Sequence, residues 1–295
     1  MTAALAHARL SLMGLSVGDS FGHSMMWCAE RIAVRMEPPT PWTWSDDTEM
    51  AVSIVDTLEE HGRIDQADLA RRFTENFHEG RMYGPSMLHE YFPRLKAGES
   101  WRVVARSLFG GQGSFGNGGA MRVTPVGAYF ADDLEAVVEH ARLSAEVTHA
   151  HHEAIAGAIA VAVAAAWAHR LRGSPAPREP RELIERVIPL VPASEVREAI
   201  AAAARLAANE PLESVVAKLG NGSRVSALDT VPFVLWSAGG SLGDFSKAIW
   251  TTVSATGDMD TTAAMVGGIV ALFVGETGIP KRWIANREAL PAARE

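Results

Sequence analysis

The chain has one cysteine in 295 residues, Cys28, so no internal disulfide can form. That usage suits a reducing compartment, and a cytoplasmic location is the expectation. Positive charge is also short. Lys and Arg number 27 against 35 Asp and Glu, a formal net charge of −8. A general nucleic-acid or membrane-surface binder draws its affinity from a basic face, so both are excluded as primary roles. No apolar run is long enough to span a bilayer. The longest, Ala154 to Ala168, has 15 residues against the roughly 18 a span needs, and it reads as a buried helix. His7 and Arg9 interrupt the N-terminal stretch, which excludes a secretory leader pattern. The sequence also lacks a 20–50-residue repeat, a low-complexity tract, and any convincing period-two alternation.

What remains is a chain that is 47% hydrophobic, with its apolar residues at helical spacing. The spacing predicts helices over residues 3–17, 46–61, 66–79, 85–95, 100–107, 133–146 and 152–171. Further helices are expected at 181–189, 194–208, 212–219, 225–238, 243–255, 261–276 and 280–286, before a polar tail. Gly18-Asp19-Ser20-Phe21-Gly22 follows the first of these, where glycines break the helix or admit another backbone. Gly173 to Pro180 is linker-like but short, and reads as a surface loop. The expected architecture is all-α: one domain over residues 1–295, an orthogonal multi-helix bundle with a cleft.

Two acidic clusters stand out. Ser45-Asp46-Asp47-Thr48 precedes an apolar helix, and Gly257-Asp258-Met259-Asp260-Thr261-Thr262 precedes another. Each has a structural reading, since Ser, Asp and Thr cap helix N-termini and acids favour the positive end of the dipole. A cap needs one side chain, however, and these clusters offer more. If they meet, four carboxylates crowd one space, and divalent cations relieve the repulsion. Oxygen ligands without cysteine favour Mg²⁺ or Mn²⁺ over zinc. A carboxylate between two ions would bridge them and give a site that orients substrate oxygens and activates water. A helix–loop–helix calcium site is excluded, because its required glycine and glutamate are Ala263 and Ile269 here.

Six glycines fall within Gly110 to Gly119. This run is either a flexible surface loop or a loop whose backbone N–H groups hold a phosphate. It carries neither a P-loop lysine nor a dinucleotide fingerprint. His149, His151 and His152 lie close together without a distant partner for zinc, so a ligand contact or a helix cap is the better reading.

Taken in order, the motifs carry a resemblance. They are Gly18-Asp19-x-x-Gly22, Ser45-Asp46-Asp47-Thr48-Glu49-Met50, Gly116-Asn117-Gly118-Gly119-Ala120-Met121-Arg122, Thr148-His149, and Gly257-Asp258-x-Asp260-Thr261-Thr262-Ala263. Together they resemble the ADP-ribosylglycohydrolase family across nearly the whole chain. The resemblance implies a compact all-α fold and hydrolysis of the bond between ADP-ribose and an acceptor, arginine first among acceptors. It implies two Mg²⁺ or Mn²⁺ ions held by Ser45, Asp46, Asp47, Asp258, Asp260 and Thr261, with Asp260 bridging. It implies substrate contacts from Asp19, from Gly113, Ser114, Phe115, Gly116, Asn117 and Gly118 around the pyrophosphate, and from His149 near the adenosine or distal ribose.

The partners implied are ADP-ribose and ADP-ribosylated substrates. Nucleic acid would enter only as an ADP-ribosylated acceptor, no membrane is involved, and a monomer is expected. The sequence departs from the family pattern in three places. Ser45 stands for the usual threonine. Met25 and Met26 stand where one branch has a glutamate. The stretch Arg81-Met-Tyr-Gly-Pro-Ser86 lacks the loop aspartate of another branch. Catalysis is therefore expected of Asp46, Asp47 and Asp258.

Overall fold

In a computed structural model, which describes residues 2–291, sixteen α-helices form and no strand does among the described residues. The first half of the chain contains α1 (Ala3–Met26), α2 (Asp46–His61), α3 (Gln66–Glu75), α4 (Phe92–Lys96) and α5 (Trp101–Gly111). It continues with α6 (Gly118–Met121), α7 (Thr124–Tyr129) and α8 (Leu134–Glu146). The second half holds α9 (His152–Arg170), α10 (Arg181–Val187), α11 (Glu195–Ala203) and α12 (Leu212–Leu219). It ends with α13 (Ala227–Gly240), α14 (Phe245–Ser254), α15 (Met259–Val274) and α16 (Lys281–Asn286). Met1 and the end of the expected polar tail, residues 292–295, lie outside the described residues.

The glycines of Gly18–Gly22 do not end the first helix. α1 runs on to Met26, and its glycines admit a neighbour instead. A Cβ at Gly18 would lie 2.0 Å from the Ala263 carbonyl oxygen, and one at Gly22 would lie 2.2 Å from that of Met259. Gly14 and Gly267 meet in the same way further along the pair. Each glycine weakens an isolated helix by roughly 1 kcal/mol relative to alanine. Here the missing side chains let α1 and α15 pack backbone to backbone, which places Asp19 opposite the start of α15.

α9 lies at the centre, with almost every side chain from Ala154 to Ala168 buried, as its all-round apolar sequence requires. It is long and apolar enough to match a membrane span by composition, but most of it is buried within the protein, as a core helix is. Tyr91, Phe92 and Phe73 pack in the same core, while Phe21, Trp42, Trp250 and Trp283 form an aromatic cluster around the loop that leads to α2.

Two expected helices differ in kind. Residues 87–91 wind as a π-helix before α4, so the 85–95 stretch has no single helical period. α5 is regular only as far as Ser107. Leu108 is then extended (ψ 153°), and Phe109 and Gly110 take φ of 50° and 68°. This turn carries the chain into the glycine run, whose last part is not loop but the start of α6.

Candidate active site

The floor of the site is built where three helices meet. Asp19 comes from the middle of α1, Asp46 and Asp47 from the first turn of α2, and Asp258 and Asp260 from the start of α15. Asp19 is fully buried. It accepts hydrogen bonds from the Ser45 backbone N–H (3.0 Å to Oδ2), the Ser45 hydroxyl (2.9 Å), the Thr48 N–H (3.1 Å) and the Thr48 hydroxyl. It therefore fixes the turn that presents Asp46 and Asp47. Asp19 does not line the cleft, so the structure gives it a different place from the substrate contact expected of it.

The Ser45 hydroxyl lies 2.9 Å from Asp19 Oδ1 and 2.8 Å from Asp47 Oδ2. It has one proton to donate, so one of the two carboxylates must hold its own proton or meet a cation. Asp47 Oδ1 is buried with no hydrogen-bond partner among the described residues. Carboxylate oxygens of Asp19, Asp47 and Asp260 all lie within 4.8 Å of one another. The electrostatics follow from this crowding. Burial and the neighbouring Asp260 raise Asp19 to about 7. Burial raises Asp46 and Asp47 well above the carboxylate range, and the surrounding aspartates add to it. Asp258 is raised by burial and by Asp260. Burial pushes Asp260 up as well, but His23, Asp258 and the Thr261 N–H outweigh it and leave Asp260 low. His23 Nδ1 stands 3.7 Å from Asp260 Oδ2, close enough to pair as an ion but too far for a hydrogen bond.

An orphaned oxygen, a one-proton hydroxyl between two acids and an all-oxygen donor set fit a hard divalent cation. The six expected ligands are brought together. Thr261 donates to Asp47 Oδ2 (3.3 Å), and Asn117 donates to Asp258 Oδ2 (2.7 Å). Ser45 and Asp47 sit behind the floor, while Asp46, Asp258, Asp260 and Thr261 face the cleft. Asp19 is a third-helix carboxylate in the same cluster. Its signal in the sequence is an acid between two glycines on one helical stripe.

Above the floor opens a cleft of about 850 Å³. One wall is the glycine run. Ser114, Phe115, Gly116, Asn117 and Gly118 line it, whereas Gly113 is buried behind (φ 77°), packed against the His151 backbone. A backbone bond from Ala227 N–H to the Phe115 carbonyl (3.1 Å) pins the run to the start of α13. Phe109 and Phe115 are both partly exposed, with ring centroids 5.2 Å apart at the cleft. His149 sits beneath, its ring against Gly116 and Gly118.

A second lining segment runs from Met82 to Glu90, which the sequence marks only by the absence of an acid at 81–86. It is anchored at both ends. Glu49 accepts from His78 N–H (3.0 Å) and the Tyr83 hydroxyl (3.2 Å), and Tyr91 donates to the Val147 carbonyl (2.7 Å). Arg81 pairs with both oxygens of Glu288 at 2.8 Å. The π-helix turns His89 and Glu90 to the cleft, two residues that sequence reasoning misses because no regular period identifies their face. Met26 also lines the cleft, while Met25 is buried.

A family model described as ADP-ribosylglycohydrolase matches residues 1–294. An uncharacterised protein of Archaeoglobus fulgidus is 33% identical over 298 residues, covering 94% of this chain and 90% of the relative. ADP-ribosylhydrolase ARH3 of Xenopus tropicalis is 30% identical over 286 residues, covering 86% of this chain and 79% of the relative. Among solved structures, one titled "ADP-ribosylglycohydrolase-related protein complex" superposes with a TM-score of 0.65 at 22% identity. It covers 98% of this chain and 94% of that one, a likeness of fold.

Proposed function

This chain belongs to the ADP-ribosylglycohydrolase family and is a glycosidic-bond hydrolase, and from that premise we propose that it removes ADP-ribose from a modified protein side chain, arginine first. The observation that carries the reading is the convergence of five aspartates from three helices beneath a cleft walled by a glycine run. Two Mg²⁺ or Mn²⁺ ions would be held by Asp46, Asp47, Asp258 and Asp260 with the Ser45 and Thr261 hydroxyls, and Asp19 behind them. Bound there, they would supply Lewis-acid stabilisation of substrate oxygens and of attacking water.

The chain's own residues do the remaining work. Asp46 and Asp258 face the cleft and are the groups suited to take a proton from water at the scissile carbon, Asn117 fixing the orientation of Asp258. The Ser114–Gly118 backbone allows close approach of a pyrophosphate, and the partly exposed rings of Phe109 and Phe115, tilted 50° to each other, each offer an apolar face to a nucleobase. Also lining the cleft, Met82 and Met87 suit the methylene stem of an arginine acceptor, and Glu90 suits its guanidinium. This pairing supports arginine over an uncharged acceptor.

The test is release of ADP-ribose from ADP-ribosyl-arginine protein, with serine-linked and nucleic-acid-linked substrates alongside, in Mg²⁺ and in Mn²⁺. Release on the arginine substrate, abolished by EDTA, is expected. Full activity in EDTA would rule the reading out. Tight ADP-ribose binding with no release on any linkage would make the chain a reader that retains the site.

A further inference from the structure

Arg122 is fully buried in the turn that follows α6, and no carboxylate lies in ion-pair range of it among the described residues. Its Nη1 donates to the Gly118 carbonyl (2.8 Å). Its Nη2 donates to the Ser144 carbonyl (3.0 Å) and to the Thr148 hydroxyl oxygen (2.8 Å). The guanidinium carbon lies 4.7 Å from the Phe73 ring centroid. Burial lowers its pKa to about 10, so it remains a cation at neutral pH. A buried cation without a counter-ion is costly. The three carbonyl and hydroxyl contacts account for its retention in part, and the third of them reaches beyond structure.

The Thr148 hydroxyl lies 2.6 Å from His149 Nδ1. Arginine is only ever a donor, so the hydroxyl oxygen is an acceptor towards Arg122. Among the described residues its proton has no other partner than His149 Nδ1. Leaving a buried hydroxyl proton unpaired is unfavourable, so Thr148 donates to Nδ1. The ring then carries its proton on Nε2. That nitrogen lies on the glycine-run side: a Cβ built at Gly118 would be 2.8 Å from it and one at Gly116 3.3 Å. It makes no hydrogen bond among the described residues, and His149 lines the cleft.

We propose that Arg122 and Thr148 are positioning residues that lock His149 in one tautomer, so that it presents an Nε2–H donor into the cleft. The acceptor it takes is an oxygen of the bound ligand, from a ribose hydroxyl or a phosphate. The inference deepens the reading of the cleft as an ADP-ribose site and rests on it for the ligand. The ring stays neutral throughout, because burial and the Arg122 charge push its pKa down to about 3. Arg122 is the charged group facing His149, and Asp46, Tyr83 and Tyr91 in turn face Arg122.

The test uses the full chain with ¹⁵N-labelled histidine and nitrogen-detected NMR, paired with calorimetry using ADP-ribose. His149 should show unprotonated Nδ1 and protonated Nε2, unchanged between about pH 5 and pH 8. Thr148→Val should lose the single tautomer and raise the ADP-ribose Kd about tenfold, the worth of one buried hydrogen bond. Thr148→Ser, which keeps the hydroxyl, should restore both. Thr148→Val in a His149→Ala background should weaken binding no further, since its effect passes through the ring. A protonated Nδ1 in the wild type would overturn the proposal. So would a Thr148→Val protein with unchanged Kd and tautomer, or losses that add in the double variant. A wild-type protein that does not bind ADP-ribose would overturn the functional reading instead, leaving the tautomer spectra to decide the role of Arg122 and Thr148.

Discussion

The floor and the walls of the cleft are built by opposite means. The floor consists of like charges forced together by long helices that pack backbone to backbone, α1 on α15, with α2 set against them through Asp19. The walls consist of short, irregular segments: a glycine run with positive φ at Gly110, Gly111 and Gly113, and a π-helix held by Glu49 and Tyr91. The floor works against the fold's own stability, and the walls work by shape. Mutations in the two regions should therefore differ in kind as well as in size.

The largest effect is expected at the floor. Asp260→Ala should lower ADP-ribose release by about three orders of magnitude or more, roughly 4 kcal/mol of transition-state stabilisation. Single-turnover assays would measure it, and loss of less than tenfold would place the chemistry elsewhere. The same region should show a reversed sign in stability. Asp47→Asn cannot ionise, so in EDTA it removes the cost of charging a buried carboxyl among other aspartates and should raise Tm increasingly as pH rises, while activity falls. A lowered Tm would mean that repulsion does not dominate the metal-free floor.

The pH dependence follows the same logic. Asp19 is raised from 3.8 to about 7 in the fold, so the folded state binds more protons than the unfolded chain within that window. Its contribution to stability is complete below about pH 4 and is lost as pH rises through 7. In EDTA, calorimetric Tm should therefore fall between pH 5 and pH 8 relative to a sample in Mg²⁺, where the cation replaces the proton. Parallel Tm curves with and without Mg²⁺ would contradict this.

At the walls the expected effects are smaller and fall on binding. Gly118→Ala places a Cβ 2.6 Å from His149 Cε1 and should raise the ADP-ribose Kd about tenfold by displacing the ring. Calorimetry would read it, and an unchanged Kd would separate His149 from the ligand. Glu90→Gln should do least. We expect KM for ADP-ribosyl-arginine substrate to rise severalfold with the Kd for ADP-ribose itself unchanged, if Glu90, which lines the cleft, meets the acceptor as proposed.

The two regions also differ in how far their sequence can be read. Adjacent acids ahead of an apolar run exceed what capping requires, so Asp46, Asp47, Asp258 and Asp260 stand out from residue order alone. Helix periods are likewise clear wherever one face is buried, as in α2 and α8, and α9 stands out by being apolar all round. The family resemblance assigns Asp19 a substrate contact, and residue order alone leaves open whether Gly18 and Gly22 break the helix or admit another backbone. Only the packing of α1 on α15 shows that those glycines sit inside a helix and turn Asp19 inward. His89 and Glu90 escape notice because a π-helix has no 3.6-residue period to mark its faces. The link from Arg122 through Thr148 to His149 joins residues 26 positions apart through side chains that no local pattern connects.

The glycine contact between α1 and α15 has a mechanical consequence. Two helices separated by side chains can slide and breathe by the width of a rotamer, but two backbones in van der Waals contact cannot. Gly18 and Gly22 therefore act as a gauge block, setting the gap between Asp19 and Asp260 by the thickness of the main chain. A methyl group at Gly22 would open that gap without altering a single acidic residue, so the calibre of the centre is adjustable from positions that carry no functional group at all.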